Sequence, residues 1–164
     1  MFKSTHTVFL RVGGHSTSTP VLLRPAHEDD IAQIVDINKT TDRFQMSTYT
    51  KGASTEELQY WIGDPRSIFI VAIVDQKVLG YAHGVCFSPK WFFFDAIVIE
   101  PSSRRCGLGN HIYETLRKEC KELGIELIQG LVKDDHDRAL NYWTAHGFEV
   151  GCRCIWVEDW LDDE

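Results

Sequence analysis

The sequence predicts an α/β protein of the α+β type, in which about four helices flank a mixed, mostly antiparallel sheet. Three apolar, strand-like runs follow one another over residues 67–74, 78–87 and 91–99, and short polar turns separate them, as in an antiparallel meander. A strand, a glycine-containing turn and an amphipathic helix then follow between Asp95 and Leu116, which is the start of a strand–helix–strand unit. With 164 residues, the chain can bury one sizeable core without disulfides or metals.

The N-terminal part of the sequence is predicted to form an arm or an extra strand, followed by one strand and two helices. Residues 1–20 contain a weakly alternating segment and then a linker rich in glycine, serine and threonine, whereas residues 21–164 form one predicted domain. The pattern Ser54-x-x-Glu57 is a capping box, which marks the start of a helix. The predicted elements are a strand at 21–25, a helix from about Asp29, and a second helix that ends near Ile62.

The C-terminal half predicts alternating helices and strands. Leu108, Ile112, Leu116, Cys120 and Leu123 are apolar at helical spacing, and Gly124 stands where a C-terminal cap belongs. The remaining predicted elements are a strand at 125–132, a helix at 139–146 and a last strand at 148–157.

The turn at residues 104–109, Arg-Arg-Cys-Gly-Leu-Gly, predicts a phosphate site. Glycine lets the backbone approach an anion closely, and the first N–H groups of a helix have no partner inside it. The helix dipole adds partial positive charge at the same end. Two familiar phosphate motifs are excluded: a dinucleotide fingerprint needs glycine where Ile112 stands, and a triphosphate loop needs lysine where Asn110 stands.

Composition narrows the class of protein further. The net charge of −7 argues against a nucleic-acid-binding surface and favours attraction of cationic amines. No apolar run approaches the ~20 residues of a membrane span. The five cysteines are odd in number and scattered, which predicts a reduced, cytoplasmic setting. Neither the cysteines nor the histidines have the spacing of a metal site, so no metal is expected.

Two motifs resemble a known family. Arg104-x-x-Gly107-x-Gly109 after a strand resembles motif A of the GNAT superfamily of N-acetyltransferases. The pattern Ala-x-x-Tyr-Trp-x-x-x-Gly-Phe at 139–148 resembles its motif B, and the resemblance covers about residues 21–157. It implies the GNAT acyl-CoA N-acyltransferase fold and transfer of an acetyl group from acetyl-CoA to a primary amine of a small molecule or a protein. The alternative is an acyl-CoA-binding sensor or interaction module with little catalytic activity.

The resemblance also implies site residues. Asp95 is a candidate general base and His83 a rival base or substrate contact. Phe44 and Tyr49 lie in the loop that lines the acceptor channel in relatives. The expected cofactor contacts are Ile97, Val98, Ile99, Arg104, Arg105, Cys106, Gly107, Leu108, Gly109, Asn110, His136 and Trp143.

The sequence departs from the family pattern at three places. His136 stands where asparagine is common, and Trp143 stands where a tyrosine often protonates the departing thiolate. Tyr142 is one residue away, so three routes stay open: Tyr142, a water or acceptor group, or departure of the unprotonated thiolate. One strand is predicted after the last helix where many members have two. Residues 5–12 are a candidate for the missing strand, within the chain or from the partner of a possible homodimer.

Overall fold

The computed structural model describes residues 4–11, 18–40 and 53–159, and within them the chain forms six strands and four α-helices. The strands are β1 (His6–Arg11), β2 (Ser18–Pro25), β3 (Ser67–Val74), β4 (Lys77–Ser88), β5 (Trp91–Ile99) and β6 (Leu127–Gly130). The helices are α1 (Ile31–Asn38), α2 (Thr55–Gly63), α3 (Leu108–Glu122) and α4 (Asp137–Ala145). Short 3₁₀ turns precede α1 at Glu28–Asp30 and α3 at Pro101–Ser103.

The strands form one sheet in the order β1-β2-β3-β4-β5-β6. All neighbours are antiparallel except β5 and β6, which are parallel because α3 carries the chain back across the sheet between them. The predicted fold class, a mixed and mostly antiparallel sheet with four helices, is therefore confirmed.

Helices cover both faces of the sheet, so β3 is buried on both sides and has the continuous apolar sequence SIFIVAIV. Alternate residues of β3 point to opposite layers: Ile68 and Ile70 pack on the α3 side, whereas Phe69 and Val71 pack on the α1–α2 side. The apolar stripe of α3 is buried against the first of these layers through Leu108, Ile112, Leu116 and Cys120. Two cores therefore hold the sheet between them.

The helix ends follow the sequence signals. Ser54 accepts a hydrogen bond from the N–H of Glu57, whose side chain accepts one from the N–H of Ser54, so the capping box predicted for α2 forms. Gly107 precedes α3 with φ +86°, and Gly124 follows it with φ +77°. Both glycines adopt a left-handed conformation that a side chain would strain.

Strand β5 has a bulge at Asp95. His83 of β4 lies opposite Ala96 and Gly84 lies opposite Phe94, so Asp95 is an extra residue without a partner on β4. Because one residue is inserted, the strand changes faces at this point.

The bulge separates β5 into two halves with different neighbours. Phe92 and Phe94 pack on the α3 side, whereas Ala96 and Val98 pack on the α1–α2 side. Strand β6 pairs with Trp91–Phe94 and with no residue beyond the bulge. Among the described residues, the last residues of β5 therefore pair with β4 on one side and have no strand partner on the other.

The predicted strand at 148–157 is wrong. Residues 148–159 have no regular structure, and the side chains of Ile155 and Val157 are 90% and 84% exposed. Apolar alternation predicted a strand, but a strand also requires a neighbouring backbone to pair with, and this segment pairs with none of the described strands. The N-terminal segment forms β1 beside β2, at the edge of the sheet opposite β6.

Candidate functional site

A cleft of about 1710 Å³ opens where β5 and β6 separate. Its walls are β5 beyond the bulge, the turn before α3, helix α4 and the segment 148–156. The sequence motifs assigned to cofactor binding thus meet in one space, together with a C-terminal segment that the sequence analysis placed in a strand.

The side chain of Glu100 fixes the turn before α3. Its carboxylate accepts hydrogen bonds from the hydroxyls of Ser102 and Ser103 and lies 3.2 Å from the ammonium of Lys77. These contacts, the one with Ser102 first, lower the pKa of Glu100. The turn is therefore held at the end of β5 by the contacts of one carboxylate.

The backbone of the turn presents donors to the cleft. Arg105 has φ +64° and Gly107 has φ +86°, so the chain twists through two left-handed residues before the helix begins. The N–H groups of residues 105–110 donate no hydrogen bond to any other described residue. Successive free N–H groups at a helix start form a concave anion site.

The side chains of the turn divide into anchors and free groups. Arg104 donates through Nε to the carbonyl of Ile99 at 2.9 Å, and Cys106 donates through Sγ to the carbonyl of Ser103 at 3.0 Å. Leu108 is buried in the core below the turn. Arg105 is exposed and has no ion pair with another described residue, so its guanidinium is available to a ligand.

The open side of β5 presents backbone groups as well. In an antiparallel pair, residues alternate between those whose N–H and C=O face the partner and those whose groups face away. The N–H of Glu100 donates a hydrogen bond to the carbonyl of Leu79 in β4. The carbonyl of Ile99 does not bond β4 and accepts a hydrogen bond from Nε of Arg104. It follows that Val98 faces β4, whereas the backbone groups of Ile97 and Ile99 face the cleft.

Tyr142 of α4 lies close to the start of α3. A Cβ built on Gly109 would lie 3.6 Å from the Tyr142 hydroxyl oxygen. This hydroxyl is buried and has no hydrogen-bond partner among the described residues. Burial raises the pKa of Tyr142 to about 12. A phenol in this setting carries its proton at neutral pH and has no acceptor for it within the described protein.

Trp143 and His136 have structural partners besides the cleft that they border. The indole of Trp143 packs against Phe94, Tyr113 and Phe148, with ring centroids 4.9, 5.2 and 5.1 Å away. The ring of His136 caps α4, because its Nδ1 accepts a hydrogen bond from the N–H of Ala139 at 3.4 Å. A cofactor contact by either residue remains a prediction.

Asp95 and His83 form a pair at the bulge. The Oδ2 of Asp95 lies 3.2 Å from the Nδ1 of His83, and the side chains are 43% and 2% exposed. Trp61 of α2 covers His83 with its ring stacked at 4.2 Å. This burial argues against direct contact between His83 and an acceptor. Trp61 was missed by the sequence analysis, since an aromatic residue on an amphipathic helix carries no signal beyond packing.

Phe44 and Tyr49, predicted to touch the acceptor, lie outside the described residues. Within the described ranges, no three side chains of His, Cys, Asp or Glu are grouped as a metal site.

None of the described helices is both long enough and apolar enough to cross a membrane.

Comparisons with known proteins agree on one family. The model of the acetyltransferase (GNAT) family matches residues 33–148. PaiA N-acetyltransferase from Thermoplasma acidophilum, solved with coenzyme A, superposes with a TM-score of 0.71 at 16% identity, over 80% of this chain and 91% of that chain. A possible acetyltransferase from Clostridium difficile 630 gives a TM-score of 0.73 at 15% identity, over 87% and 99%.

An aminoglycoside acetyltransferase from an uncultured soil metagenomic sample, solved with sisomicin, gives a TM-score of 0.67 at 16% identity, over 87% of this chain and 97% of that chain. No curated protein sequence matches the chain. At these identities, likeness to the solved structures establishes the fold.

Proposed function

The chain belongs to the GNAT acetyltransferase family, and on that premise we propose that it transfers an acetyl group from acetyl-CoA to a primary amine by direct attack of the amine on the thioester. The observation that carries the proposal is the cleft beyond Asp95. An anion-binding turn, an open strand edge and a carboxylate all border this one space.

The turn suits the pyrophosphate of acetyl-CoA. The N–H groups of residues 105–110 have no acceptor among the described residues, and Arg105 adds a full positive charge beside them. Charge-assisted hydrogen bonds of this kind are about twice as strong as neutral ones. Arg104 supports the site indirectly, because its bond to Ile99 holds the turn against the end of β5.

The open edge of β5 suits the amide-containing arm of acetyl-CoA. An extended chain with amide groups can pair with a free strand edge in place of a missing strand. Ile97 would bind it through its backbone N–H and C=O, and Ile99 through its N–H, because the Ile99 carbonyl already accepts from Arg104. The side chains of both residues pack against the core. This arrangement directs the thioester toward the bulge at Asp95.

Asp95 is the proposed general base. Its carboxylate is partly exposed at the point where the two strands separate, so it can take a proton from the acceptor ammonium, directly or through water. Such a base contributes roughly 10²- to 10⁴-fold to a reaction rate. Holding the amine beside the thioester supplies the rest of the effect by proximity.

Tyr142 is the proposed hydrogen-bond donor to the departing thiolate. Its pKa of about 12 lies about 3.5 units above that of an ordinary thiol, near 8.5. Full proton transfer from the phenol to the thiolate would therefore be unfavourable by about 5 kcal/mol. We infer that Tyr142 stabilises the thiolate by a hydrogen bond, and that solvent supplies the proton afterwards.

A second candidate function is an acyl-CoA-binding module with little catalysis. The observation that favours it is Trp143, because an indole N–H cannot act as a general acid near neutral pH and its ring is packed among aromatic residues. The five cysteines are free thiols, which supports a cytoplasmic setting for either function.

Thermal melts and thiol release test the proposal together. Acetyl-CoA or CoA at about 100 times its dissociation constant should add about 2.7 kcal/mol of stability, whereas NAD and ATP should add far less. Thiol release should then be measured with phenethylamine, spermidine, glucosamine, lysine and a peptide with a free N-terminus, and products identified by mass. Equal stabilisation by all four nucleotides would contradict the site. Tight CoA binding without thiol release from any amine would favour the module.

A further inference from the structure

The buried member of the pair at the bulge has no role in the proposed reaction. His83 lies 3.2 Å from Asp95, yet its side chain is 2% exposed and does not border the cleft. A polar ring that is buried beside a candidate base, rather than in contact with substrate, requires an explanation of its own.

The ring of His83 is held on two sides. Trp61 stacks on it with ring centroids 4.2 Å apart and planes inclined by 15°. Phe69 packs against it at 5.2 Å. Since β4 fixes the backbone and two aromatic rings fix the imidazole, His83 has one orientation, with Nδ1 toward Asp95.

The hydrogen-bond partners select the position of the ring hydrogen. Nε2 of His83 is buried without a partner among the described residues, whereas Nδ1 faces the Asp95 carboxylate. A hydrogen on Nδ1 makes a bond to Asp95. A hydrogen on Nε2 alone would find no acceptor there and would place two lone pairs against each other.

A second carboxylate near His83 does not compete for this hydrogen. Both oxygens of Asp64 are engaged by Arg66, through its backbone N–H and through its guanidinium, at distances of 2.8–3.1 Å. Asp95, by contrast, has His83 as its hydrogen-bond partner among the described residues.

We propose that His83 is a positioning residue, which donates its Nδ1–H to Asp95 and holds that carboxylate in one rotamer at the mouth of the cleft. A half-exposed aspartate on a bulge would otherwise distribute over several staggered rotamers, of which one faces the acceptor amine. Trp61 acts through His83, because it fixes the plane of the imidazole. The inference rests on the proposed role of Asp95 as the base.

Two substitutions separate the hydrogen bond from packing. His83→Asn keeps a donor nitrogen near the position of Nδ1, and His83→Leu removes the donor while keeping apolar volume. With acetyl-CoA and the panel amine that reacts fastest, His83→Leu should lower kcat about tenfold, a part of the general-base contribution, and leave the KM for acetyl-CoA unchanged. His83→Asn should retain kcat within about threefold. His27→Leu is the control for the loss of an imidazole as such, because the His27 side chain is 71% exposed and does not contact Asp95.

A double-mutant cycle distinguishes positioning from a general structural role. If His83 acts through Asp95, then His83→Leu in an Asp95→Ala background should not lower kcat further. An equal loss in both backgrounds would overturn the proposal, as would a wild-type kcat in His83→Leu.

A spectroscopic measurement keeps the test independent of activity. Nitrogen-15 correlation spectra of the histidines should show His83 with hydrogen on Nδ1, and this resonance should shift in Asp95→Ala. A hydrogen-free Nδ1, or an unchanged resonance, would overturn the pairing. If the wild type releases no thiol with any amine, the proposed function fails, and the spectra alone then confirm or overturn the contact.

Discussion

Replacing Tyr142 by phenylalanine should raise stability and lower turnover at the same time. The substitution removes one oxygen, which is buried and has no hydrogen-bond partner among the described residues. The ring itself stays, together with its packing against His146 at 4.2 Å. The variant therefore isolates the hydroxyl from the aromatic volume.

The two effects have separate magnitudes. Leaving a buried hydroxyl without a partner costs about 1–3 kcal/mol, so its removal should add about 1 kcal/mol, or about 2–4 °C in Tm for a chain of this size. A hydrogen bond to a charged thiolate contributes about 1.5–3 kcal/mol. Its loss should raise the activation free energy by that amount and lower kcat by about tenfold or more. The affinity for CoA should not change.

The pKa of Tyr142 adds a pH signature. Burial raises this pKa from 10 to about 12. The folded state therefore holds the phenolic proton more tightly than the unfolded chain does, and this contribution to stability is complete below pH 10 and is lost as the pH rises toward 12. The wild type should lose stability faster than the Phe variant across this window.

Thermal melts, CoA titrations and steady-state thiol release measure these effects. Tyr60→Phe is a suitable control, because Tyr60 is 61% exposed and its loss of a hydroxyl should change neither Tm nor kcat. A lower Tm for Tyr142→Phe would show that the hydroxyl has a structural partner. An unchanged kcat would show that Tyr142 is a packing residue, and that catalysis depends on positioning and on Asp95.

Three other predictions follow from the cleft and the sheet edge. Gly107→Val should abolish stabilisation by CoA, because Gly107 has φ +86° and lies beside the free N–H groups. Gly124→Val is the control: Gly124 has φ +77°, so this variant should lower Tm as much as Gly107→Val does but keep CoA binding. Asp95→Asn should lower kcat by about 10²-fold or more and leave stabilisation by CoA unchanged, and a wild-type kcat would exclude Asp95 as the base. Deleting residues 1–11 should lower Tm, since β1 pairs with β2 and Leu10 is buried; an unchanged Tm and elution volume would contradict docking of this strand.

Elements bounded by local signals were predicted closely from the sequence. Strands β3 and β5 begin and end at the predicted residues, because tight turns stop their apolar runs on both sides. The capping box of α2 and the glycines around α3 likewise act over a few residues. The family resemblance is also confirmed, since the two motifs lie within the matched residues 33–148.

Features that depend on distant neighbours were not predicted. The bulge at Asp95 left no trace in the pattern of β5, because helices cover both faces and the strand is apolar on both sides of Asp95. The pairing of His83 with Asp95 depends on that bulge, so His83 was assigned to the substrate instead. The segment 148–157 alternates like a strand but pairs with none of the described strands, because pairing requires a neighbouring backbone that the local pattern does not reveal.

The one-sided pairing of β5 should give this strand an uneven pattern of amide hydrogen exchange. The N–H of Val98 faces β4, whereas the N–H groups of Ile97 and Ile99 face the cleft. Neighbouring amides in a central strand normally exchange together, at rates set by opening of the whole unit. Here the amides of Ile97 and Ile99 should exchange without any opening of the sheet, and Val98 between them should remain protected. Slower hydrogen exchange of those two amides on addition of CoA would show, residue by residue, where the bound molecule lies along the strand edge.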